Sequence, residues 1–183
     1  MQNNNFRYIN DWAVIRLADS FVKINKAGKG NGEAALYLGS KYDSDIFLFF
    51  GGNDFDAHCI ILRDDLLEYL EDVKIEYIRN CRNYRNEVSL RTWKQNFDEV
   101  SHLPKEMYFN LTRKRQFDKH GRVYAQELTY KRSKNYPENS KAYVYDLIRR
   151  IAIPEVSFIL LTKIEAGEQN NFHAKLFYDP NYK

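Results

Sequence analysis

Cysteine is scarce in this chain. The two that occur, Cys59 and Cys81, are too few for a disulfide-stapled secreted scaffold and lack zinc-ligand spacing. The four histidines, His58, His102, His120 and His173, are as sparse and dispersed, and no metal-ligand spacing links them. His58 and Cys59 lie in the apolar run Ala57–Leu62, which predicts a core histidine and a buried thiol. No apolar run approaches the ~20 residues that span a bilayer, so no membrane partner is expected. The opening Met1-Gln2-Asn3-Asn4-Asn5 has neither the basic nor the apolar segment of a signal peptide, and the expected location is cytoplasmic. Repeats, low-complexity stretches and clear linkers are missing, as is a Gly-x-Ser-x-Gly nucleophile motif.

Aromatic residues are plentiful: 14 Tyr, 12 Phe and 2 Trp in 183 residues. They can fill the core in place of aliphatic side chains, or stand on the surface as stacking platforms. The apolar fraction of 44% closes a core, and the charged fraction of 29% is that of an ordinary soluble surface.

The net charge of +3 hides an uneven distribution. Residues 1–73 carry 7 Lys/Arg against 12 Asp/Glu, residues 74–150 carry 18 against 9, and residues 151–183 carry 3 against 4. A central block at +9 between acidic flanks predicts a polyanion-binding surface. That block interleaves Tyr77, Tyr84, Trp93, Phe97, Tyr108, Phe109, Phe117, Tyr124, Tyr130 and Tyr136. The competing expectation is that it folds against the acidic third and is neutralised there.

Hydrophobic spacing predicts an α+β domain over 1–183, with about six largely antiparallel strands and about four helices. A helix is expected from Trp12 to about Lys23, and a buried strand over Ile46–Phe50 returning through Gly51–Asp54 to Ala57–Leu62 as a hairpin. A helix begins at Asp64 or Asp65, and Ser89 caps another. Met107–Leu111 and Arg122–Arg132 are expected to form one long basic hairpin around His120-Gly121. Ser140 caps a helix carrying Tyr143, Leu147, Ile148 and Ile151. Glu155–Ile164 and Phe172–Tyr178 pair as a C-terminal hairpin within 151–183.

Nucleic-acid contacts are expected from three basic groups. Lys26 precedes and Lys29 lies within a Gly28–Gly32 loop that matches neither a P-loop nor a dinucleotide fingerprint. Arg79, Arg82 and Arg85 recur every three residues along one helix face. Arg113, Lys114, Arg115, Lys119 and Arg122, with Lys131, Arg132 and Lys134, gather at the ends of the 107–132 hairpin. Such a hairpin can lie in a duplex groove or track a single strand. The leading expectation is therefore a nucleic-acid-binding domain, DNA favoured, of the kind used in bacterial or phage restriction and defence, working without a cofactor. An acidic protein partner for the basic face is the non-enzymatic alternative.

An enzymatic alternative comes from Glu33, Asp45 and the step Asp72-Val73-Lys74, which resemble the loose acid … acid-x-Lys pattern of restriction-type nucleases. The resemblance implies an endonuclease in which Glu33, Asp45 and Asp72 hold magnesium and Lys74 steadies the attacking water or the phosphate. In that family the acid-x-Lys pair lies on a core strand beside the first acid. Here the corresponding strand reads His58-Cys59-Ile60-Ile61-Leu62, and Asp72 and Lys74 fall on a predicted helix. His173-Ala174-Lys175 resembles the opening of a phospholipase-D-type His-x-Lys motif, with the following acid one residue early at Asp179 and no second copy.

Overall fold

In the computed structural model, the described residues are 6–9, 11–25, 35–40, 44–52, 54–79, 81–84, 88–113, 121–126, 141–164 and 171–181. They form β1 (Phe6–Ile9), β2 (Trp12–Arg16), β3 (Leu36–Ser40), α1 (Ser44–Phe50), β4 (Phe55–Leu62), α2 (Arg63–Arg79), a 3-10 turn (Cys81–Asn83), α3 (Leu90–Ser101), β5 (Glu106–Arg113), β6 (Arg122–Ala125), α4 (Lys141–Ile151), β7 (Ser157–Ile164) and β8 (Asn171–Tyr178). Six strands build one sheet in the order β1-β2-β7-β8-β4-β5, and β3 pairs with β6 in a second, two-stranded sheet. Neighbours are antiparallel except β4 and β8, which run parallel. The fold is α+β, as composition and spacing predict. No helix among the described residues is long and apolar enough to cross a membrane.

Two expected elements change type. Trp12–Arg16 is a strand, not the start of a helix. Ala13, Ile15 and Leu17 are buried while Trp12, Val14 and Arg16 are not, and this period-two alternation lets the segment fill the slot between β1 and β7. Ile46–Phe50 is part of a helix, not a strand. Ile46, Phe49 and Phe50 are buried, whereas Leu48 is 65% exposed, the i, i+3, i+4 pattern of one helix face. An apolar run this short carries no decisive period. The helix ends where Gly51 takes φ 81° and the Gly52 N–H donates to the Phe47 carbonyl at 2.8 Å. The predicted 45–62 hairpin is consequently a helix, a turn and a strand.

Both arms of the expected 107–132 hairpin have further partners in the sheets. β5 pairs along its whole length with β4, and β6 pairs with β3. An antiparallel bridge between Thr112 and Gln126, with both backbone bonds at 3.1 Å, joins β5 to the end of the Arg122–Gln126 segment, and the rest of the expected second arm, residues 127–132, lies outside the described residues. Helices α2 and α3 and the β7–β8 hairpin form where the spacing puts them. Ser89 caps α3, its Oγ accepting from the Thr92 N–H at 3.2 Å.

One face of the six-stranded sheet is the core. Cross-strand register aligns Ile15, Ile159, Leu176, Cys59 and Phe109 with their neighbours on this inner face. Tyr145 of α4 packs there against Phe109 and Phe21, and Phe49 and Phe50 of α1 against Phe172 and Phe55. Cys59 is buried as expected, and burial pushes its thiol pKa far up. β4 pairs with β8 only at residues 58–60 and 171–173; beyond them α2 lies alongside β8, and α3 packs on α2.

Buried polar groups tie the helices to one another and to β7. The Tyr69 hydroxyl and Ser157 Oγ lie 2.7 Å apart and both accept from the Ile153 N–H. Tyr77 donates to the Ile151 carbonyl at 3.0 Å. Glu99 of α3 receives Arg150 of α4 through two bonds of 3.1 and 2.7 Å, and the Tyr143 hydroxyl besides. Burial alone would raise the Glu99 pKa, but the Arg150 and Tyr143 hydrogen bonds outweigh it and hold the carboxyl below its ordinary value. A depressed folded-state pKa stabilises fully above the unfolded value of about 4.3 and loses that contribution as pH falls through the folded pKa. In urea titrations the wild type should therefore exceed Glu99→Gln at pH 7, with the gap closing below about pH 4. A gap independent of pH would contradict this account.

Candidate functional site

The expected basic and acidic residues do not converge on one place. Arg79 ends α2, Arg82 lies in the 3-10 turn and Arg122 opens β6, and all three are exposed. The Arg122 guanidinium stands 5.7 Å from the Tyr124 ring centre. Arg113 is a correction: it is 4% exposed, with its guanidinium 4.8 Å from the Phe47 ring, and burial lowers its pKa against the opposing pull of Asp54. It points along the inner face of β5 and is a packing residue, not a surface contact. Lys26, Lys29, Arg85, Lys114, Arg115, Lys119, Lys131, Arg132 and Lys134 lie outside the described residues, as does Glu33.

Asp45 sits exposed in the first turn of α1 instead of at a strand mouth. Asp72 is exposed on α2, while Lys74 contacts Glu71 at 3.4 Å and lies 4.0 Å from the Trp93 ring. Residues two apart on a helix do not face each other, so Asp72 and Lys74 do not converge as the acid-x-Lys pattern requires. No group of three or more His, Cys, Asp or Glu among the described residues is arranged to hold a metal ion.

The other face of the sheet is where chemistry collects. Alternation sends Asp56, His58 and Ile60 of β4, Tyr108 and Asn110 of β5, Asn171, His173 and Lys175 of β8, Thr162 of β7 and Trp12 of β2 away from the core. Pairing sets Tyr108, Ile60, His173, Thr162 and Trp12 in one row across five strands. Tyr108 is 43% and Trp12 38% exposed, so an aromatic side chain stands at each end. A stacked pair, Phe158 and Phe177 at 5.2 Å, fills the end of this face near the start of β7. Asp65 and Glu68 of α2 reach over the margin of this face, and Lys141 of α4 comes within 5.5 Å of the Tyr108 ring centre.

Two hydrogen-bonded histidines lie in this surface. His58 Nδ1 is 3.2 Å from Asn110 Oδ1, and Asn110 Nδ2 donates to Asp56 Oδ1 at 2.9 Å. The His58 ring also lies 5.0 Å from the Tyr108 ring. His173 Nε2 is 2.9 Å from Asp65 Oδ2, while Lys175 Nζ lies 3.7 Å from Asp65 Oδ1 and 2.7 Å from Glu68 Oε2. The expectation of a core histidine at position 58 is thus overturned: both rings are half-buried on the outer side of the sheet. The inward set Phe55, Ala57, Cys59 and Ile61 carried the signal, since it forces His58 to the opposite face.

Most aromatics of the basic block serve the core. Tyr77, Trp93 and Phe109 are buried, and Tyr84 and Phe97 pack partly against them. Phe117, Tyr130 and Tyr136 lie outside the described residues. No family model, curated protein or solved structure matches the chain.

Proposed function

We propose that this protein binds nucleic acid, and that the outer face of the six-stranded sheet takes part in the contact. The observation that carries the reading is the pairing of exposed Tyr108 with the Lys141 ammonium 5.5 Å from its ring, at the edge of a face with exposed Trp12 at its far side. A ring and a cation presented together serve a base and its phosphate. Both residues belong to the +9 block of residues 74–150. Exposed Arg79, Arg82 and Arg122 add positive charge from the same block. Asp65 and Glu68, from the acidic third, turn to His173 and Lys175 of β8, while Glu71 contacts Lys74 of the block. A flat sheet face suits unstacked bases, so single strands are favoured over duplex DNA.

Fluorescence anisotropy with labelled single-stranded DNA, duplex DNA and RNA, at about 50 and about 200 mM salt, tests the reading. Affinity for a single strand should fall roughly twentyfold across that range if about three phosphates are engaged. Tyr108→Ala should weaken binding by about 1–3 kcal/mol, the worth of one stacked base. No binding to any strand at low salt would sink the proposal and direct attention to an acidic protein partner.

A further inference from the structure

The two outer-face histidines are set up unequally, and the hydrogen bonds around them say how. A carboxylate only accepts, so Asp56 fixes the Asn110 amide with its nitrogen toward Asp56 Oδ1 and its oxygen toward His58. That oxygen can only accept, so the proton of neutral His58 sits on Nδ1 and the lone pair is on Nε2. His58 is thereby prepared as a base. His173 has the reverse bias. Asp65 Oδ2 lies 2.9 Å from its Nε2, and a carboxylate only accepts, so Nε2 carries a proton and the second proton of the charged ring sits on Nδ1, where it can be donated. His173 is prepared as an acid.

The strand register brings the pair together. His58 is opposite Asn171 and Ile60 is opposite His173 on parallel strands, so the two histidines share a face one strand apart and two residues along. Strand spacing and rise put their Cα atoms about 8 Å apart. Tyr108 stands against His58, and Lys175 follows His173 on the same side of β8.

From this juxtaposition we propose that His58 and His173 are the general base and general acid of an RNA-cleaving site; the proposal rests on the nucleic-acid reading above. His58 Nε2 takes the proton of a ribose 2′-hydroxyl, and the 2′-oxygen forms a bond to the adjacent phosphorus. The bond from phosphorus to the 5′-oxygen breaks, and His173 Nδ1–H protonates that leaving oxygen. The products are a 2′,3′-cyclic phosphate and a 5′-hydroxyl end, and the histidines finish with their protons exchanged. The nucleophile belongs to the substrate, so the step balances without a further reactant. Among the described residues, the charged groups on this face around the pair are Asp56 of β4, Glu106 of β5, Asp65 and Glu68 of α2, Lys175 of β8 and, over the Tyr108 ring, Lys141 of α4. β7 contributes the neutral Thr162 opposite His173. Asp65 is a positioning residue that acts through His173.

A labelled RNA strand incubated in EDTA tests the proposal, beside its all-deoxy counterpart and a DNA strand carrying one ribose. RNA should be cut, the all-deoxy strand should stay intact, and the chimaera should be cut 3′ to its single ribose to leave a cyclic phosphate detectable by mass. His58→Ala and His173→Ala should each lower the rate about 100- to 10,000-fold, and Leu48→Ser, on exposed α1, should not. The wild-type pH profile should be bell-shaped. His58→Gln should remove its acid limb and His173→Gln its alkaline limb, while Asp65→Asn should alter the alkaline limb and leave the acid limb in place. Anisotropy on an all-2′-O-methyl strand separates chemistry from binding. Strands bound but uncut between about pH 5 and 8 would overturn the catalytic site and leave the binding reading standing. Neither binding nor cutting would overturn both. Cutting that survives both histidine substitutions, or that cuts the all-deoxy strand, would also overturn the site.

Discussion

Phe172→Ala should destabilise the fold by about 3–5 kcal/mol, a large share of the 5–15 kcal/mol typical of a domain. Phe172 is 1% exposed on the inner face of β8, with Phe49 and Phe50 of α1 at 5.2 and 5.6 Å. Its β4 neighbour in register is Cys59, so the ring lies where the parallel strand pair meets α1. Removing it opens a cavity between rigid aromatic rings that cannot collapse to fill it. Urea unfolding should show a lower midpoint at an unchanged slope. Phe172→Leu, which refills most of the volume, should cost about 1.5 kcal/mol or less. Equal losses for the two variants would mean that shape, not volume, matters there. A loss below about 1 kcal/mol for the alanine would contradict the packing described. The substitution also reaches the outer face, because Phe172 holds the backbone between Asn171 and His173.

Trp93→Ala should cost a similar amount, about 3–5 kcal/mol, by a different route. Trp93 joins α3 to α2: its indole N–H donates to the Leu70 carbonyl at 2.6 Å, and its ring meets Phe97 at 5.2 Å and the Lys74 ammonium at 4.0 Å. Trp93→Phe keeps a ring but loses the donor, and should cost about 0.5–1.5 kcal/mol for the hydrogen bond plus a smaller packing term. Circular dichroism melts suit both variants, because Trp93 is one of only two tryptophans and its removal changes the fluorescence baseline. Identical melts for wild type and Trp93→Ala would show that α3 docks without this contact.

The elements read correctly from sequence are those with a long period or a chemical boundary. α2 and α3 carry whole turns of apolar spacing, and Ser89 marks a start by its side-chain oxygen. β7 and β8 are eight residues each, long enough for alternation to declare itself. Ile46–Phe50 failed because five consecutive apolar residues fit either period, and tertiary contact with Phe172 and Phe55 decided it. Trp12–Arg16 failed because Trp12, Ile15 and Val22 also fit a helical stripe; pairing with β1 and β7 settled the matter. For the 107–132 hairpin the sequence marked both strands, and the Thr112–Gln126 bridge joins its arms, but it could not show their further partners, β4 and β3, which lie far off in the chain.

The candidate site was less legible than the fold. His58 and His173 are separated by 115 residues, and their relation depends on the parallel register of β4 and β8, which no local pattern encodes. Arg113 was expected at a surface because it opens a basic run, yet it falls in phase with Phe109 and Leu111 and is drawn inward. Charge counting located the basic block but not the direction in which its side chains point.

The position of β8 in the sheet bears on how the chain assembles. β1-β2-β7 form one antiparallel group and β4-β5 another, and among the described strands β8 alone touches both. It follows every other described strand in sequence. During synthesis the two groups therefore emerge with facing edges uncovered, and β4 keeps one row of backbone donors and acceptors free until β8 arrives. Closure of the sheet is a long-range event, which places this protein among slow folders for its size and gives that waiting β4 edge, with its apolar Ala57–Leu62 run, the greatest exposure to misdirected pairing before the native partner is made.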